Sequence, residues 1–271
     1  MLIKLLGTAS AEGFPGLFCR CDVCLRSREA GGKDLRSRTT AVIDNILKID
    51  LPPDTLHHVL AQGLDLTRIR YLLVTHSHDD HFAMNQLQYM SWMFVPKPDN
   101  SSLDIIGPDD IVAAVRGDAD LSRLPIRTTA VKPGDTVQLG SWSITALAAN
   151  HDPGITCLNY LITSNGATHL YATDTGWYEE ETWELLKNTH MDGIIVECTK
   201  GFSNEGYNGH MSIPQVIRMR EILLSSGSIV ADTPFVTTHH SHLGGLLHAE
   251  REEALNPHGI KVGYDGMEFE V

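Results

Sequence analysis

Four side chains that can bind metal ions lie within six residues of this sequence, at the end of the stretch IRYLLVTHSHDDH. His76 and His78, two positions apart, can turn their imidazoles toward one ion. Asp80 and His81 can hold a second ion nearby. Two neighbouring divalent ions suit hydrolysis, because a water bound between them loses a proton near neutral pH. The stretch therefore predicts a dinuclear metal site that supplies hydroxide.

A solvated polar loop is the alternative interpretation of this stretch. It would suffice for a lone histidine, but four candidate ligands directly after a hydrophobic strand favour a metal site. Two ions need further ligands, and three candidates follow other predicted strands: His151 in AANHDPG, Asp174 in YATDTG, and His239 or His240 in TTHHSH. Each is weak alone, since such residues often cap or pack. Their shared position at strand ends strengthens the prediction.

A second cluster contains three cysteines, Cys19, Cys21 and Cys24, in the segment FCRCDVC. Their C-x-C-x2-C spacing suits a tetrahedral zinc ion that lacks one ligand. Such clusters in a reducing compartment bind metal more often than they form disulfides. The alternative is three buried free cysteines. Cys157 and Cys198 lie in strand-like contexts and are expected in the core.

These candidate ligands depend on a regular framework of short apolar runs and helical patterns. The runs predict strands over Leu2–Leu6, Thr40–Ile43, Ile46–Ile49, Ile69–Val74, Leu103–Ile106, Trp142–Leu147, Leu158–Thr163, His169–Ala172, Gly193–Val196 and Phe235–Thr238. The helical patterns cover Thr55–Gln62, Met84–Met93, Asp109–Val115, Glu179–Lys187, Ile213–Leu224 and Leu246–Ala254. A mixed sheet or pair of sheets covered by helices follows.

Composition limits the class of protein and its partners. The chain has 271 residues, 42% of them hydrophobic, which favours a single domain over 1–271. We expect a cytoplasmic protein that does not act at a membrane, because no run approaches the roughly 20 apolar residues of a membrane span. The formal net charge of −13 opposes binding of a nucleic acid polymer and favours a small-molecule substrate.

The segment HSHDDH matches the HxHxDH signature of the metallo-β-lactamase superfamily, and the remaining candidates follow in that family's order. The resemblance implies an αββα sandwich of two mixed β-sheets flanked by helices. It also implies that His76, His78 and His151 hold one metal, that Asp80, His81 and the late histidine hold the other, and that Asp174 bridges them. Zinc β-lactamases of the main class have a cysteine in place of Asp174, so an antibiotic substrate is not expected.

Within the superfamily, the chain resembles the PhnP-type cyclic phosphodiesterases. These carry a similar cysteine cluster and complete its zinc with a histidine three residues beyond the last active-site histidine. That spacing implies His239 as the active-site ligand and His242 as the fourth ligand of a structural zinc. The closing segment Tyr264–Val271 is also similar. We expect Zn2+ or Mn2+ in the active site, and histidine and carboxylate ligands accept iron as well. The resemblance further implies a homodimer.

The same resemblance gives His210, in GYNGHMS, the role of general acid that protonates the leaving alkoxide. A histidine suits this role because its pKa is near neutral. The alternative is an ordinary loop histidine at a helix start. Asp50 either supports a ligand imidazole by a hydrogen bond or caps the helix after Pro53.

The predicted function is therefore a metal-dependent phosphodiesterase acting on a small, cyclic or linear, phosphodiester, with His210 and Asp80 as catalytic residues. The rivals are a thioester or lactone hydrolase of the same fold, which would not need His210 as acid, and a cofactor-biosynthesis protein resembling PqqB. A tRNA-processing nuclease is disfavoured, because the acidic chain has no long basic insertion.

Overall fold

The computed structural model describes residues 1–96 and 102–271, whose strands form two seven-stranded sheets. The first sheet contains β1 (Leu2–Gly7), β2 (Thr40–Ile43), β3 (Leu47–Ile49), β4 (Tyr71–Leu73), β5 (Leu103–Gly107), β6 (Ile126–Ala130) and β14 (Glu268–Glu270). The second contains β7 (Thr136–Leu139), β8 (Trp142–Ala148), β9 (Leu158–Ser164), β10 (Ala167–Ala172), β11 (Gly193–Glu197), β12 (Phe235–Thr238) and β13 (Lys261–Val262). The α-helices are α1 (Asp22–Ala30), α2 (Thr55–Gln62), α3 (Asp109–Gly117), α4 (Glu180–Lys187), α5 (Ile213–Ser226) and α6 (His248–Leu255).

Each sheet joins an antiparallel half to a parallel half. The first runs in the order β14-β1-β2-β3-β4-β5-β6 and is parallel from β3 onward. The second runs β13-β12-β11-β10-β9-β8-β7 and is parallel from β13 to β10. Both sheets are therefore mixed, as expected.

The main core lies between the two sheets. Side chains such as Ile49, Leu73, Tyr160 and Ile195 interdigitate there and are fully buried. The helices α4, α5 and α6 cover the outer face of the second sheet, while α2 and α3 cover that of the first. This arrangement confirms the αββα sandwich, because an apolar face on each side of a sheet has to be buried against another layer.

Local sequence accounts for several of these elements. The two-residue turn Asn165-Gly166 joins β9 to β10 with positive φ at both positions, 53° and 83°, as a type I′ hairpin requires. Ser212 caps α5, and its backbone N donates to Gln215 Oε1 at 2.9 Å in a capping box. The helix ends at Gly227, in the left-handed conformation at φ 78°.

The structure corrects several sequence-based boundaries. The helix predicted over Met84–Met93 is a 3₁₀ helix over Met84–Met90, and the strand predicted over Ile69–Val74 is limited to β4. Among the α-helices and strands of the described residues, five were missed: α1, β6, β7, β13 and β14. Strands β6 and β7 carry polar, exposed residues at alternate positions, and β13 and β14 are two and three residues long, too short for a periodic signal.

In the described part of the chain, no helix combines the length and apolarity needed to span a bilayer.

Candidate metal centre

The carboxyl ends of strands from both sheets meet at one edge of the sandwich, and the candidate ligands lie there. His76, His78, Asp80 and His81 follow β4, while His151 follows β8. Asp174 follows β10 and His239 follows β12. The sheets are joined close by, because Tyr160 Oη donates to Val74 O at 2.6 Å. Residues more than 160 positions apart in sequence are thus brought together by strand direction.

Three histidines form the first group of potential ligands, with nitrogen atoms within 4.8 Å of one another. His78 Nδ1 lies 3.0 Å from His76 Nε2 and 3.3 Å from His151 Nε2. The three imidazoles thus point lone pairs at one small volume, which suits a divalent ion. His78 is oriented by Asp152, whose Oδ2 lies 3.3 Å from His78 Nε2.

Asp80, His81, Asp174 and His239 form the second group, also within 4.8 Å. His81 Nε2 lies 3.2 Å from Asp80 Oδ2 and contacts Asp174 Oδ2. His239 Nε2 lies 2.8 Å from Asp174 Oδ1. Asp174 Oδ2 is also 3.5 Å from His76 Nε2 of the first group. Asp174 therefore stands between the two groups, as a bridging ligand must.

Hydrogen bonds behind the imidazoles fix which nitrogen of each ring faces the site. His81 Nδ1 donates to Asp50 Oδ2 at 2.7 Å, and His151 Nδ1 donates to Gly209 O at 3.0 Å. Because a carboxylate and a carbonyl can only accept, these Nδ1 atoms carry hydrogen, and the Nε2 atoms are the ones that face the site. Such support is typical of histidines that bind metals.

Asp50 belongs to this supporting layer, which settles the alternative left open by the sequence. Its Oδ1 accepts from Thr75 N at 2.8 Å while Oδ2 faces His81. The residue that precedes α2 is Asp54 instead.

Buried polar atoms without a hydrogen-bond partner test whether the groups fit metal ions. His81 Nε2, His239 Nε2 and Asp174 Oδ1 are such atoms within the described residues, despite their close approaches. Leaving three polar atoms unsatisfied in the interior costs stability. Ions coordinated by these atoms would remove that cost, so the donor set fits two divalent metals.

The backbone also carries strain at this edge. Asp50, Asp174 and His239 have φ values of 60°, 47° and 54°, in the left-handed region. Non-glycine residues in this region cost free energy and cluster at functional sites. Asp174 and His239 are candidate ligands, and Asp50 supports His81. The unusual backbone conformation thus occurs at three residues of the candidate metal site.

The pKa values of the histidines differ between the two groups of potential ligands. Burial lowers the pKa of His76 well below its usual value, and burial also lowers the pKa of His151. Burial opposes protonation of His239 too, but Asp174 outweighs it and raises the pKa of His239 to about 10. Burial raises the pKa of Asp174, yet His239 and His81 outweigh it and hold that pKa well below the usual range. The second group thus attracts positive charge, as metal ligands should.

His210 lies beside the ligands and is held by a residue that sequence reasoning missed. His210, His151 and Asp174 have ligand atoms within 4.8 Å of one another. His210 Nδ1 donates to Glu197 Oε1 at 2.8 Å, and Glu197 is fully buried. Burial lowers the pKa of His210, but Glu197 outweighs it and raises the pKa above the usual value.

A signal for Glu197 was present in the sequence. It is an acid directly after the apolar run Gly193–Val196, the same strand-end position that identified Asp174. It also supports a ligand, since Thr199 Oγ1 donates to Glu197 Oε2 at 2.5 Å and accepts from His239 Nδ1 at 2.9 Å. Glu197 therefore connects the candidate acid with a candidate ligand.

The cysteine cluster lies outside this centre, near the start of α1. Sulfur atoms of Cys19, Cys21 and Cys24 and a nitrogen of His242 lie within 4.8 Å of one another. Cys21 Sγ is 3.6 Å from His242 Nδ1. A Cβ added to Gly16 would lie 2.8 Å from His242 Nε2, so only glycine leaves room for this arrangement. Three sulfurs and one nitrogen fit a tetrahedral zinc.

His240, Cys157 and Cys198 lie outside both groups of potential ligands and outside the cysteine cluster. His240 is buried, and its Nδ1 lies 3.3 Å from Cys198 O; it belongs to none of the groups of potential ligands among the described residues. The structure thus brings His239 rather than His240 into the centre. Cys157 and Cys198 are 6% and 0% exposed. Both are core residues, though each lies just outside a strand.

Comparison with known proteins gives the family. The sequence model described as the Beta-lactamase superfamily domain matches residues 41–226. Over 271 residues, the chain is 27% identical to a protein of Porphyromonas gingivalis (strain ATCC BAA-308 / W83) named octanoyltransferase. The alignment covers 97% of this chain and 50% of that protein, so the chain spans about half the length of this curated relative.

Solved structures show the same fold. A diphosphatase from the PhnP family has a TM-score of 0.78 at 19% identity, covering 100% of this chain and 97% of its own. Zn2+-bound PqqB from Methylobacterium extorquens has a TM-score of 0.76 at 16% identity, covering 100% of both chains. Human tRNase Z, short form, has a TM-score of 0.66 at 16% identity, covering 100% and 99%. The chain therefore belongs to the metallo-β-lactamase superfamily, and its fold resembles that of the PhnP family.

Proposed function

We propose that this protein is a metal-dependent phosphodiesterase that hydrolyses a small phosphodiester. The observation that carries the proposal is the position of His210, which is held by Glu197 beside His151 and Asp174. A metal site alone suits many hydrolyses, but an added proton donor suits a substrate whose leaving group is a poorly acidic alcohol.

The two groups His76–His78–His151 and Asp80–His81–Asp174–His239 would each hold one divalent ion, Zn2+ or Mn2+. Two ions there would supply hydroxide at neutral pH and neutralise charge on the phosphate. The cysteine cluster with His242 would hold a structural zinc that takes no part in the reaction.

The chain's own residues would orient the diester and move one proton. Glu197 accepts the Nδ1 hydrogen of His210, so Nε2 carries the proton that the leaving alkoxide takes up. Because Glu197 raises the pKa of His210, a larger fraction of the imidazole is protonated near neutral pH. Asp80 stays ionised, since the charge of His81 outweighs burial and lowers the pKa of its carboxyl.

Small, soluble substrates fit the charge of the chain. Its net charge of −13 repels extended polyanions, whereas one phosphate can enter the cationic centre. The proposed partner is therefore a small phosphodiester in the cytoplasm.

Hydrolysis of a substrate panel tests the proposal. Bis-p-nitrophenyl phosphate, 2′,3′-cyclic nucleotides, an octanoyl thioester and a lactone are assayed with Zn2+ and with Mn2+. The wild type is compared with His210→Ala and with His190→Ala, a control in which an exposed histidine is removed. We expect diester cleavage that chelation abolishes and that His210→Ala weakens by about 10²- to 10⁴-fold for alkyl leaving groups. Activity on the thioester or lactone alone would contradict the proposal.

An acyl thioester hydrolase is the second candidate. The observation that favours it is the 27% identity to a protein named octanoyltransferase. A thiolate leaves without protonation, so His210→Ala would leave thioester cleavage nearly unchanged. The panel therefore distinguishes the two candidates by substrate and by the effect of one variant.

A further inference from the structure

A cavity of about 480 Å³ lies on the outer face of the first sheet, and its lining includes none of the candidate metal ligands. The helix α2 and the 3₁₀ helix Met84–Met90 cover it, and its walls include Leu51, Val59, Leu72 and Leu87. Cavities that bind small molecules have about this size, with mostly apolar walls and a few polar groups.

The charged residue among its lining side chains is Lys48, in β3. Lys48 is only 1% exposed, and its neighbours across the sheet are Val42 and Leu72. Its Nζ donates to Thr40 Oγ1 at 2.5 Å and to Asp50 O at 2.6 Å. An ammonium group has three hydrogens, so these two bonds leave one donor unused.

A buried cation normally has an anionic partner. Within residues 1–96 and 102–271, Lys48 forms no salt bridge, and both of its acceptors are neutral oxygens. An unpaired buried charge is costly, and a residue serving only to fill the core would be aliphatic. The arrangement therefore favours an anionic group beside Lys48 in the apolar cavity that it lines.

We propose that this cavity binds a fatty carboxylate of medium chain length, with its chain against the apolar walls and its carboxylate on Lys48. A methylene group occupies about the volume of a water molecule, roughly 30 Å³, so a chain of about ten carbons takes up roughly 300 Å³ and fits. Burial lowers the pKa of Lys48 to about 7, and a bound carboxylate would favour its charged form.

This binding site does not depend on the proposed hydrolysis. Asp50 separates the two sites, since its carbonyl accepts from Lys48 while its carboxylate accepts from His81.

Calorimetric titration of the full-length protein with hexanoate, octanoate and decanoate tests the proposal. Affinity should rise by about fourfold for each added methylene, because each is transferred from water to an apolar wall. Decanol, which has the same chain without the charge, should bind about tenfold more weakly than decanoate. Lys48→Met should abolish this preference for the carboxylate. Metal-loaded and chelated protein should give the same affinity, because the cavity is separate from the ions.

A second pair of variants distinguishes the cavity from the surface around it. Val59→Trp places a large side chain in the wall and should abolish decanoate binding. Leu60→Trp, on the same helix, changes a side chain that is 78% exposed and should leave binding unchanged. Absence of decanoate binding, or equal binding by Val59→Trp, would overturn the proposal.

Sedimentation velocity addresses the other occupant that this surface could accept, a second copy of the chain. Exposed apolar residues such as Leu56 and Tyr89 surround the cavity. The proposal expects the same oligomeric state for wild type, Val59→Trp and Leu60→Trp. If Val59→Trp dissociated a dimer, the cavity would be an interface between copies and the fatty carboxylate would be the wrong occupant.

Discussion

Glu197 Oε1 accepts a hydrogen bond from His210 Nδ1 at 2.8 Å, in the interior of the second sheet's carboxyl edge. The same carboxylate accepts from Thr175 N at 2.8 Å and from Thr199 Oγ1 at 2.5 Å. These partners fix its position, so the imidazole of His210 cannot rotate without losing its acceptor. A rigidly held, readily protonated histidine beside metal ligands is the arrangement that general acid catalysis needs.

Glu197→Gln should lower the rate of alkyl diester hydrolysis by about 10- to 100-fold, as is typical when the support of a functional group is removed. Activity requires protonated His210, so it falls as pH rises through the pKa of His210. Because Glu197 raises that pKa, the variant should lose activity at lower pH than the wild type does. A pH–rate profile measures the shift. Glu184→Gln, at an exposed position, is the control, and identical profiles for Glu197→Gln and wild type would exclude this role.

Asp50→Asn should weaken metal binding at His81 by about 10- to 100-fold, because the amide is a poorer acceptor than the carboxylate for His81 Nδ1. Asparagine tolerates the left-handed backbone at this position, where φ is 60°. Competition with a chromogenic chelator measures the affinity. Asp44→Asn is a matched control, since Asp44 has φ 51° and lies outside the site. Equal loss of metal in both variants would show that Asp50 has no specific role.

Cys21→Ser should remove one zinc ion per chain and leave the metals of the other two groups in place. The unfolding temperature should fall, because the proposed zinc would tie the loop before α1 to His242. Metal analysis and calorimetry measure both effects. Cys157→Ser changes a cysteine outside the cluster and should retain its zinc. Unchanged zinc content in Cys21→Ser would contradict the structural site.

Lys48 should make stability depend on pH. Burial lowers its pKa to about 7 in the folded protein from 10.5, so the unfolded chain binds more protons between these values. The free energy of unfolding contributed by this group should therefore rise with pH, by up to about 1.4 kcal/mol per pH unit. Urea unfolding of wild type and Lys48→Met at about pH 6, 8 and 10 isolates the effect. A difference between the two proteins that stays constant with pH would be inconsistent with a buried, titrating lysine.

The local elements of the site could be predicted from the sequence alone. The stretch from Thr75 to His81 carries its ligands within one loop, so its spacing already indicated two ions. The order of His151, Asp174 and the late histidine could be predicted because each of them follows an apolar run, and the end of that run marks the end of a strand. The helix α1 was missed since Cys24 and Val23 are surrounded by polar residues and give no helical stripe.

Relationships between distant segments could be established only from the folded chain. His239 and His240 are equivalent in sequence, and the left-handed backbone of His239 turns its side chain toward Asp174. Glu197 is a functional candidate because the loop before α5 places His210 within hydrogen-bond distance of its carboxylate. By its pattern, the strand that contains Lys48 is an ordinary apolar strand. The burial of its ammonium group is apparent only in the structure, where α2 and the 3₁₀ helix Met84–Met90 cover the cavity that it lines. The physical reason is common to all three: side-chain direction, burial and partner distance are properties of packed strands and helices, whereas sequence spacing fixes only neighbours along the chain.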